Sequence, residues 1–200
     1  MRPKMFKFLT PFLVCLGSAM SLPAAAAQPA TNMAMTLDLT ITETLAPTDS
    51  DPGRCPATSN AMAIGMLTGS GFMKVTIGPG PQIVTIPVIF AGSDCPTTTF
   101  QFSGGKFTLS TPSGHQLFAD YYGGFYPTSP TTLVLDAGKS AFVINSGTGY
   151  FAGASGTGTL SGNENVLSAP PAFVGFGSIQ ANGTISFKNP GFANRFVKSL

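Results

Sequence analysis

The chain has 200 residues, of which 43% are hydrophobic and only 9% are charged, with 24 glycines, 17 prolines and no tryptophan. An intrinsically disordered chain carries more charge and fewer apolar residues, so this composition predicts a packed core. The formal net charge is +2, and three of the ten basic residues lie within the first seven positions. The remainder has no basic patch that would neutralise a run of phosphates, so we expect no nucleic-acid partner.

The N-terminus has the three parts of a secretory signal peptide. The basic residues are followed by an apolar run over residues 8–22, and small residues at 24–27 offer a cleavage site after Ala27. The apolar run is shorter than the roughly 20 residues that span a bilayer. We therefore predict a signal peptide over residues 1–27 and a single secreted or periplasmic domain over residues 28–200, with no membrane span after cleavage.

Two cysteines, Cys55 and Cys95, remain after cleavage, and each lies in a turn-like segment and is followed by proline. Loop cysteines of an exported protein usually pair, so we predict a disulfide between them. The alternative, a redox-active pair, normally has C-x-x-C spacing, which is absent. The single histidine, His115, lies in a predicted turn, so the sequence offers no zinc ligand set and we expect no metal and no cofactor.

Alternating apolar and polar residues predict a half-buried strand over residues 33–42. A long loop is predicted over 43–60, and a hairpin over 61–77 with its turn at 68–71. Short strands separated by Gly, Pro and Asn follow at 82–90, 98–103, 106–110, 116–121, 132–135, 141–145, 150–152, 156–160, 172–179 and 183–188. No segment has the sustained period of a helix, so we predict an all-β antiparallel barrel or sandwich.

The segment 120–127 gathers three of the four tyrosines around two glycines beside Asp120. Tyrosine hydroxyls and a carboxylate at a barrel mouth can orient a small ligand or relay protons, so Asp120, Tyr121 and Tyr122 are the candidate catalytic residues. The structural alternative is an aromatic strand end packed on the rim. Asp38, on the first strand, becomes a further acid–base candidate if it faces a lumen, but its threonine neighbours favour a solvated face.

Residues 144–156 read Ile-Asn-Ser-Gly-Thr-Gly-Tyr-Phe-Ala-Gly-Ala-Ser-Gly. We interpret the glycines of this segment as bulges and tight corners where strands cross closely, and they are Gly147, Gly149, Gly153 and Gly156. The segment resembles the Gly-Thr-Gly-x-Phe-x-Gly-Ala-x-Gly motif of allene oxide cyclases, dirigent proteins and their secreted bacterial relatives. Residues 105–123 look like an upstream hairpin of the same proteins, so the resemblance covers residues 105–162.

The resemblance implies an eight-stranded, closed, calycin-like barrel whose lumen holds a small hydrophobic ligand. Characterised members of the superfamily steer cyclisations or radical couplings without a metal or cofactor. The sequence departs from the motif at Ser146, where glycine is common, and at Tyr150, where bacterial relatives often have arginine. The motif is a structural turn, so it transfers no catalytic residue to this chain.

Three functional hypotheses result from these observations. The first is a secreted barrel that binds a small hydrophobic molecule, as a cofactor-free cyclase or isomerase. The second is a non-enzymatic envelope or surface protein that serves adhesion. The third, an outer-membrane barrel, is disfavoured because its strands need about 9–11 residues, whereas most predicted strands are shorter. The sequence leaves the oligomeric state open.

Overall fold

The computed structural model describes residues 32–77, 82–168 and 173–188. It contains nine strands: β1 (Met33–Ala46), β2 (Ile64–Ile77), β3 (Gln82–Pro96), β4 (Gln101–Ser110), β5 (Gln116–Ser129), β6 (Thr132–Leu135), β7 (Ala141–Gly147), β8 (Ser155–Ser168) and β9 (Val174–Ser186). Helical structure in the described part of the chain is limited to 3-10 turns at Thr48–Ser50, Ala57–Ser59 and Gly149–Phe151. None of these described helices is long and apolar enough to cross a membrane. The signal peptide predicted over residues 1–27 lies outside the described residues.

The strands form one antiparallel sheet that closes on itself. Strands β1 to β5 pair in sequence order, and β9 lies between β1 and β8. Strands β6 and β7 share the remaining position, because β7 pairs with the first half of β5 and β6 with the second half. Both also pair with β8, which completes the ring. The predicted eight-stranded closed barrel is thereby confirmed, with nine strands filling eight positions.

Alternation along each strand fills the barrel interior with apolar side chains. On β1, residues Met35, Leu37, Leu39 and Ile41 are all buried, and the same interior core includes Met73, Phe90, Leu109, Leu117 and Phe142 from other strands. Burying each such side chain stabilises the fold by about 1.5–3 kcal/mol. Asp38 lies on the opposite, solvated face of β1, where its Oδ2 pairs with Lys74 Nζ at 3.2 Å. The prediction that Asp38 faces solvent is therefore confirmed.

The hairpin turn predicted at residues 68–71 is wrong, because β2 runs through this segment without interruption. Gly69 pairs with Ile41, and Gly71 with Leu39, in the middle of the β1–β2 ladder. A Cβ on either glycine would overlap a main-chain oxygen of β1. The two glycines therefore permit close approach of the strands and do not form a turn.

The strands are also longer than the sequence patterns predict. Strand β1 continues to Ala46 into the predicted loop, and seven of the nine strands have between 10 and 15 residues. Strand length therefore gives no argument against an outer-membrane barrel. The apolar interior of this barrel does argue against an outer-membrane barrel, since transmembrane barrels have a polar interior and an apolar outer band.

The glycine motif at residues 147–156 connects β7 to β8. Gly149 and Gly153 have φ angles of 56° and 72°, which residues with a side chain rarely adopt. Between them, the predicted strand at 150–152 is instead a 3-10 turn that buries Phe151. The ring of Tyr150 packs on His115, with 3.9 Å between ring centroids. This turn, with Phe151 and Phe187 packed against each other, fills one end of the barrel.

Candidate functional site

Three carboxyl side chains lie inside the opposite end of the barrel. Glu43 of β1, Asp94 of β3 and Glu164 of β8 are only 5%, 3% and 2% exposed. Each acid continues the inward-facing alternation of its strand, after Ile41 on β1, after Phe90 on β3 and after Leu160 on β8. The strands therefore direct three acids into one apolar interior.

Glycines on neighbouring strands make room for these carboxyl groups. Gly65 of β2 pairs with Asp94, and a Cβ there would overlap Asp94 Oδ1 and lie 2.7 Å from Glu43 Oε1. Gly175 of β9 pairs with Glu43, and a Cβ there would overlap Glu164 Oε1. The carboxyl groups thus occupy the volume that larger residues at positions 65 and 175 would fill.

Asp94 is held by a tyrosine and lies beside an arginine. The hydroxyl of Tyr121 donates a hydrogen bond to Asp94 Oδ2 at 3.0 Å. Arg54 donates from Nε to Ser93 Oγ at 2.7 Å and from Nη2 to the Ser93 carbonyl oxygen. The predicted disulfide between Cys55 and Cys95 is confirmed, and it joins the residue after Arg54 to the residue after Asp94. The disulfide therefore ties the loop that carries Arg54 to the strand that carries Asp94.

Burial raises the pKa of all three carboxyl groups, since an apolar environment disfavours the charged form. The pKa of Asp94 rises to about 6, although the hydrogen bond from Tyr121 and the charge of Arg54 oppose the change. The pKa of Glu164 rises to about 7, with a hydrogen bond from Glu43 lowering it and the charge of Asp94 raising it. Burial, the charges of the other two acids and the shared hydrogen bond raise the pKa of Glu43 well above its usual value.

Because the shared hydrogen bond raises the pKa of Glu43 and lowers that of Glu164, Glu43 is its proton donor and Glu164 its acceptor. Two atoms of the cluster, Asp94 Oδ1 and Glu164 Oε1, are buried and have no hydrogen-bond partner among the described residues. Leaving a buried polar atom unsatisfied costs about 1–3 kcal/mol. Buried polar atoms of folded proteins nearly always have a partner, so these two atoms mark the carboxyl cluster as a candidate site.

A cavity of about 570 Å³ opens beside the cluster at the same end of the barrel. This volume is typical of small-molecule sites, which range over about 300–1,000 Å³. Its wall is mostly apolar and includes Leu45, Met62, Phe100, Phe102, Phe125, Leu133, Val166 and Phe173. Glu43 and Glu164 supply the charge in this lining, which has no lysine, arginine or histidine among the described residues.

The structure separates the three residues that the sequence predicts as catalytic. Tyr121 points into the barrel and is 5% exposed, whereas Asp120 and Tyr122 lie on the outer face of β5. Successive residues of a strand point to opposite faces, so the three cannot act together on one ligand inside the barrel. Tyr121 joins the carboxyl cluster, and the catalytic role of Asp120 and Tyr122 stays a prediction.

The sequence patterns do not single out Glu43, Asp94 or Glu164. The predicted loop begins at residue 43, and the strands predicted over 82–90 and 156–160 end before Asp94 and Glu164, so the predicted alternation stops before each acid. The sequence nevertheless contains a signal. Each acid lies an even number of residues after a buried residue of its strand (the same parity), and such residues point to the same face. Parity places each acid inside the barrel, but only the strand register brings the three together.

Comparison with protein-family models, curated proteins and solved structures gives no match for this chain. The resemblance to allene oxide cyclases and dirigent proteins therefore stays a prediction that depends on the motif at residues 144–156. A closed antiparallel barrel is the fold which that resemblance implies. Because one barrel architecture hosts many unrelated functions, the function has to be argued from the site.

Proposed function

We propose that this protein is exported and binds a small hydrophobic molecule in the cavity at the carboxyl-lined end of its barrel. The observation that carries the proposal is the apolar cavity of about 570 Å³ with two buried glutamates in its wall. Apolar walls provide the binding energy, and a few polar groups fix the orientation of the ligand. Export is supported by the signal-like segment at residues 1–27 and by the disulfide.

We further propose that the glutamate pair performs cofactor-free acid–base chemistry on the bound molecule, as a cyclase or isomerase requires. A group that gives a proton and a group that takes one must face the same ligand. Burial and the neighbouring acids raise the pKa of Glu43 well above its ordinary value and favour its protonated form, while the pKa of Glu164, about 7, suits proton exchange near neutrality. Two carboxyl groups whose environments differ are the usual basis for separate acid and base roles.

Under this proposal the chain is a relative of the allene oxide cyclases and dirigent proteins. The motif at residues 144–156 supports the relationship, and the closed barrel of eight positions is consistent with it. In those proteins the barrel encloses a small apolar molecule, and the same arrangement is proposed here. Asp94 and Tyr121 then support the glutamate pair from behind and do not line the cavity.

The alternative function, a non-enzymatic surface or adhesion protein, explains the site less well. Such a barrel gains nothing from three acids in its interior, because burying an ionisable group lowers stability unless it is paired. Apolar residues at positions 43, 94 and 164 would pack the same interior without that cost. The buried acids therefore favour a ligand site over a purely structural barrel.

Binding can be tested with the mature chain, a fluorescent apolar probe such as N-phenyl-1-naphthylamine, and native mass spectrometry of protein purified from the periplasm or medium. Leu133→Trp places a large ring in the cavity wall and should weaken probe binding at least tenfold. Leu167→Trp makes the same change at a position that is 68% exposed and should leave the affinity within twofold of wild type. The proposal fails if the wild type binds no apolar molecule, or if the two variants behave alike.

A further inference from the structure

We propose that the ligand of this cavity is an organic amine, whose protonated nitrogen is held by Glu164 and Glu43 among phenylalanine rings. This inference rests on the proposed ligand-binding function and adds the chemical class of the ligand. The class is an amphiphile with a cationic amine at one end and a small hydrocarbon part. Charge, hydrogen-bonding capacity and the aromatic lining each support it.

The negative charge of the cluster is only partly balanced by the protein. The charged and titratable groups that act on Glu164 are Glu43 of β1 and Asp94 of β3, both acids. Arg54, from the loop after β1, acts on Asp94 and on Tyr121 of β5 behind it. The described cavity lining has no basic residue that would pair with the glutamates. An opposite charge stabilises a buried carboxyl group in its ionised form, and a cationic ligand supplies that charge.

The hydrogen-bonding capacity of the site also matches an amine. Glu164 lines the cavity, and its buried Oε1 has no donor among the described residues. An ammonium group carries only donors, up to three of them, whereas an ionised carboxyl group carries only acceptors. A ligand with a carboxylate would therefore meet like charge in this lining, and an alcohol would supply a single donor without charge.

The aromatic residues of the cavity wall are the third feature that suits an amine ligand. Phe100, Phe102, Phe125 and Phe173 all line the cavity. The rings of Phe102 and Phe125 have centroids 5.4 Å apart, and Phe102 is 5.6 Å from the ring of Tyr121, so the aromatic wall continues to the carboxyl cluster. The negative face of an aromatic ring attracts ammonium groups. The carboxyl groups and phenylalanine rings of the cavity are thus suited to the ammonium group of an amine. The aliphatic residues of the wall suit the hydrocarbon part of the ligand.

The test compares three probes that share a chain and differ in their polar end: octylamine, octanol and octanoate. Isothermal titration calorimetry with the mature wild-type protein at pH 8 should show octylamine binding at least tenfold more tightly than octanol, with octanoate the weakest. The affinity for octylamine should fall at least fivefold between pH 8 and pH 5, because the carboxyl groups take up protons. The affinity for octanol should change less than twofold over the same range.

Glu164→Gln keeps the shape of the side chain and removes its charge. It should bring the affinity for octylamine down to that for octanol, while octanol binding stays within twofold of wild type. The matched control is Asp49→Asn, which removes a charge from an exposed loop position and should change none of the three affinities. A thermal melt of each variant shows whether it is folded, and the pH comparison on the wild type requires no variant.

The outcomes separate the two proposals. If none of the three probes binds, the ligand-binding function itself fails. If octanol or octanoate binds as tightly as octylamine, the cavity binds apolar molecules but the amine inference is overturned. The inference is equally overturned if octylamine binds with the same affinity at pH 5 and pH 8, because the glutamates then take no part in holding its charge.

Discussion

Glu43 and Glu164, the two glutamates of the chain, share a hydrogen bond inside the barrel although their strands β1 and β8 are separated by β9. Gly175 of β9 lies between them, since it pairs with Glu43 and contacts Glu164 Oε1. A side chain at position 175 would occupy the space of the Glu164 carboxyl group. The pairing of these two acids is thus a consequence of strand register and of one glycine.

The buried acids should make the protein more stable at mildly acidic pH than at pH 8. The folded-state pKa values of about 7 for Glu164 and about 6 for Asp94 exceed their ordinary values of 4.5 and 3.8. The folded state therefore binds more protons than the unfolded chain between about pH 4 and 7, and stability falls as pH rises through this window. Each group changes the free energy of unfolding by about 3 kcal/mol at most. Urea unfolding at pH 5, 6, 7 and 8 measures the effect.

Glu164→Gln is the variant that isolates one of these groups. It should be more stable than wild type at pH 8 by about 1–3 kcal/mol and should have a flatter pH profile, because its amide carries no charge to bury. Asp49→Asn, at an exposed position, should reproduce the wild-type profile. A wild-type stability that increases from pH 5 to pH 8 would contradict the assignment of raised pKa values.

Tyr121→Phe should lower the free energy of unfolding at pH 8 by about 1–3 kcal/mol, because Asp94 loses the donor to its Oδ2. Tyr122→Phe removes the same hydroxyl from a residue that is 54% exposed. That control should change the stability by less than about 0.5 kcal/mol. Chemical denaturation measures the free energy of unfolding of both variants. Equal decreases in the two would show that the hydroxyl of Tyr121 does not stabilise Asp94.

Gly175→Ala should destabilise the fold by about 1–3 kcal/mol, because the new methyl group overlaps Glu164 Oε1. Shortening the acid in the double variant Gly175→Ala, Glu164→Ala should restore part of that loss. A double-mutant cycle from urea unfolding gives the coupling between the two positions. Independent, additive effects would mean that Gly175 does not serve to accommodate the carboxyl group.

Removing the disulfide by Cys55→Ser with Cys95→Ser should lower the free energy of unfolding by about 3–4 kcal/mol. The bond closes a chain segment with a sequence separation of 40, so its loss enlarges the conformational freedom of the unfolded state. A reducing agent should produce a similar fall in the melting temperature of the wild type. No change with the reductant would indicate that the thiols are not paired in the purified protein.

Local patterns predict an all-β antiparallel fold and the solvated face of β1, the expected compartment predicts the disulfide, and the resemblance at residues 144–156 implies that the barrel is closed. Period-two alternation identifies buried faces wherever apolar residues are frequent, as at Leu37 and Leu39. It fails in β2, where Gly69 and Gly71 have the composition of a turn but lie in a ladder. Local sequence cannot distinguish a glycine that bends the chain from one that lets another strand approach.

The carboxyl cluster is harder to predict than the fold. The parity of Glu43, Asp94 and Glu164 along their strands is visible in the sequence, once each strand is extended to its real end. The proximity of Glu43 and Glu164 depends on the pairing of β9 with β8 and on that of β1 with β9, the second of which joins residues more than 100 positions apart. The candidates Asp120 and Tyr122 lie on the outer face because Tyr121, between them, points into the barrel and successive residues of a strand point to opposite faces.

The most direct test of the account is a carboxyl-carbon NMR titration of protein labelled with ¹³C at the glutamate side chain. The chain has two glutamates, so the spectrum should contain two carboxyl signals, and Glu164→Gln assigns them. We expect one signal to titrate near pH 7 and the other, from Glu43, to titrate well above its ordinary pKa of 4.5. Addition of octylamine should shift both signals. Two signals that titrate near pH 4.5 and do not respond to octylamine would contradict a buried, ligand-binding glutamate pair.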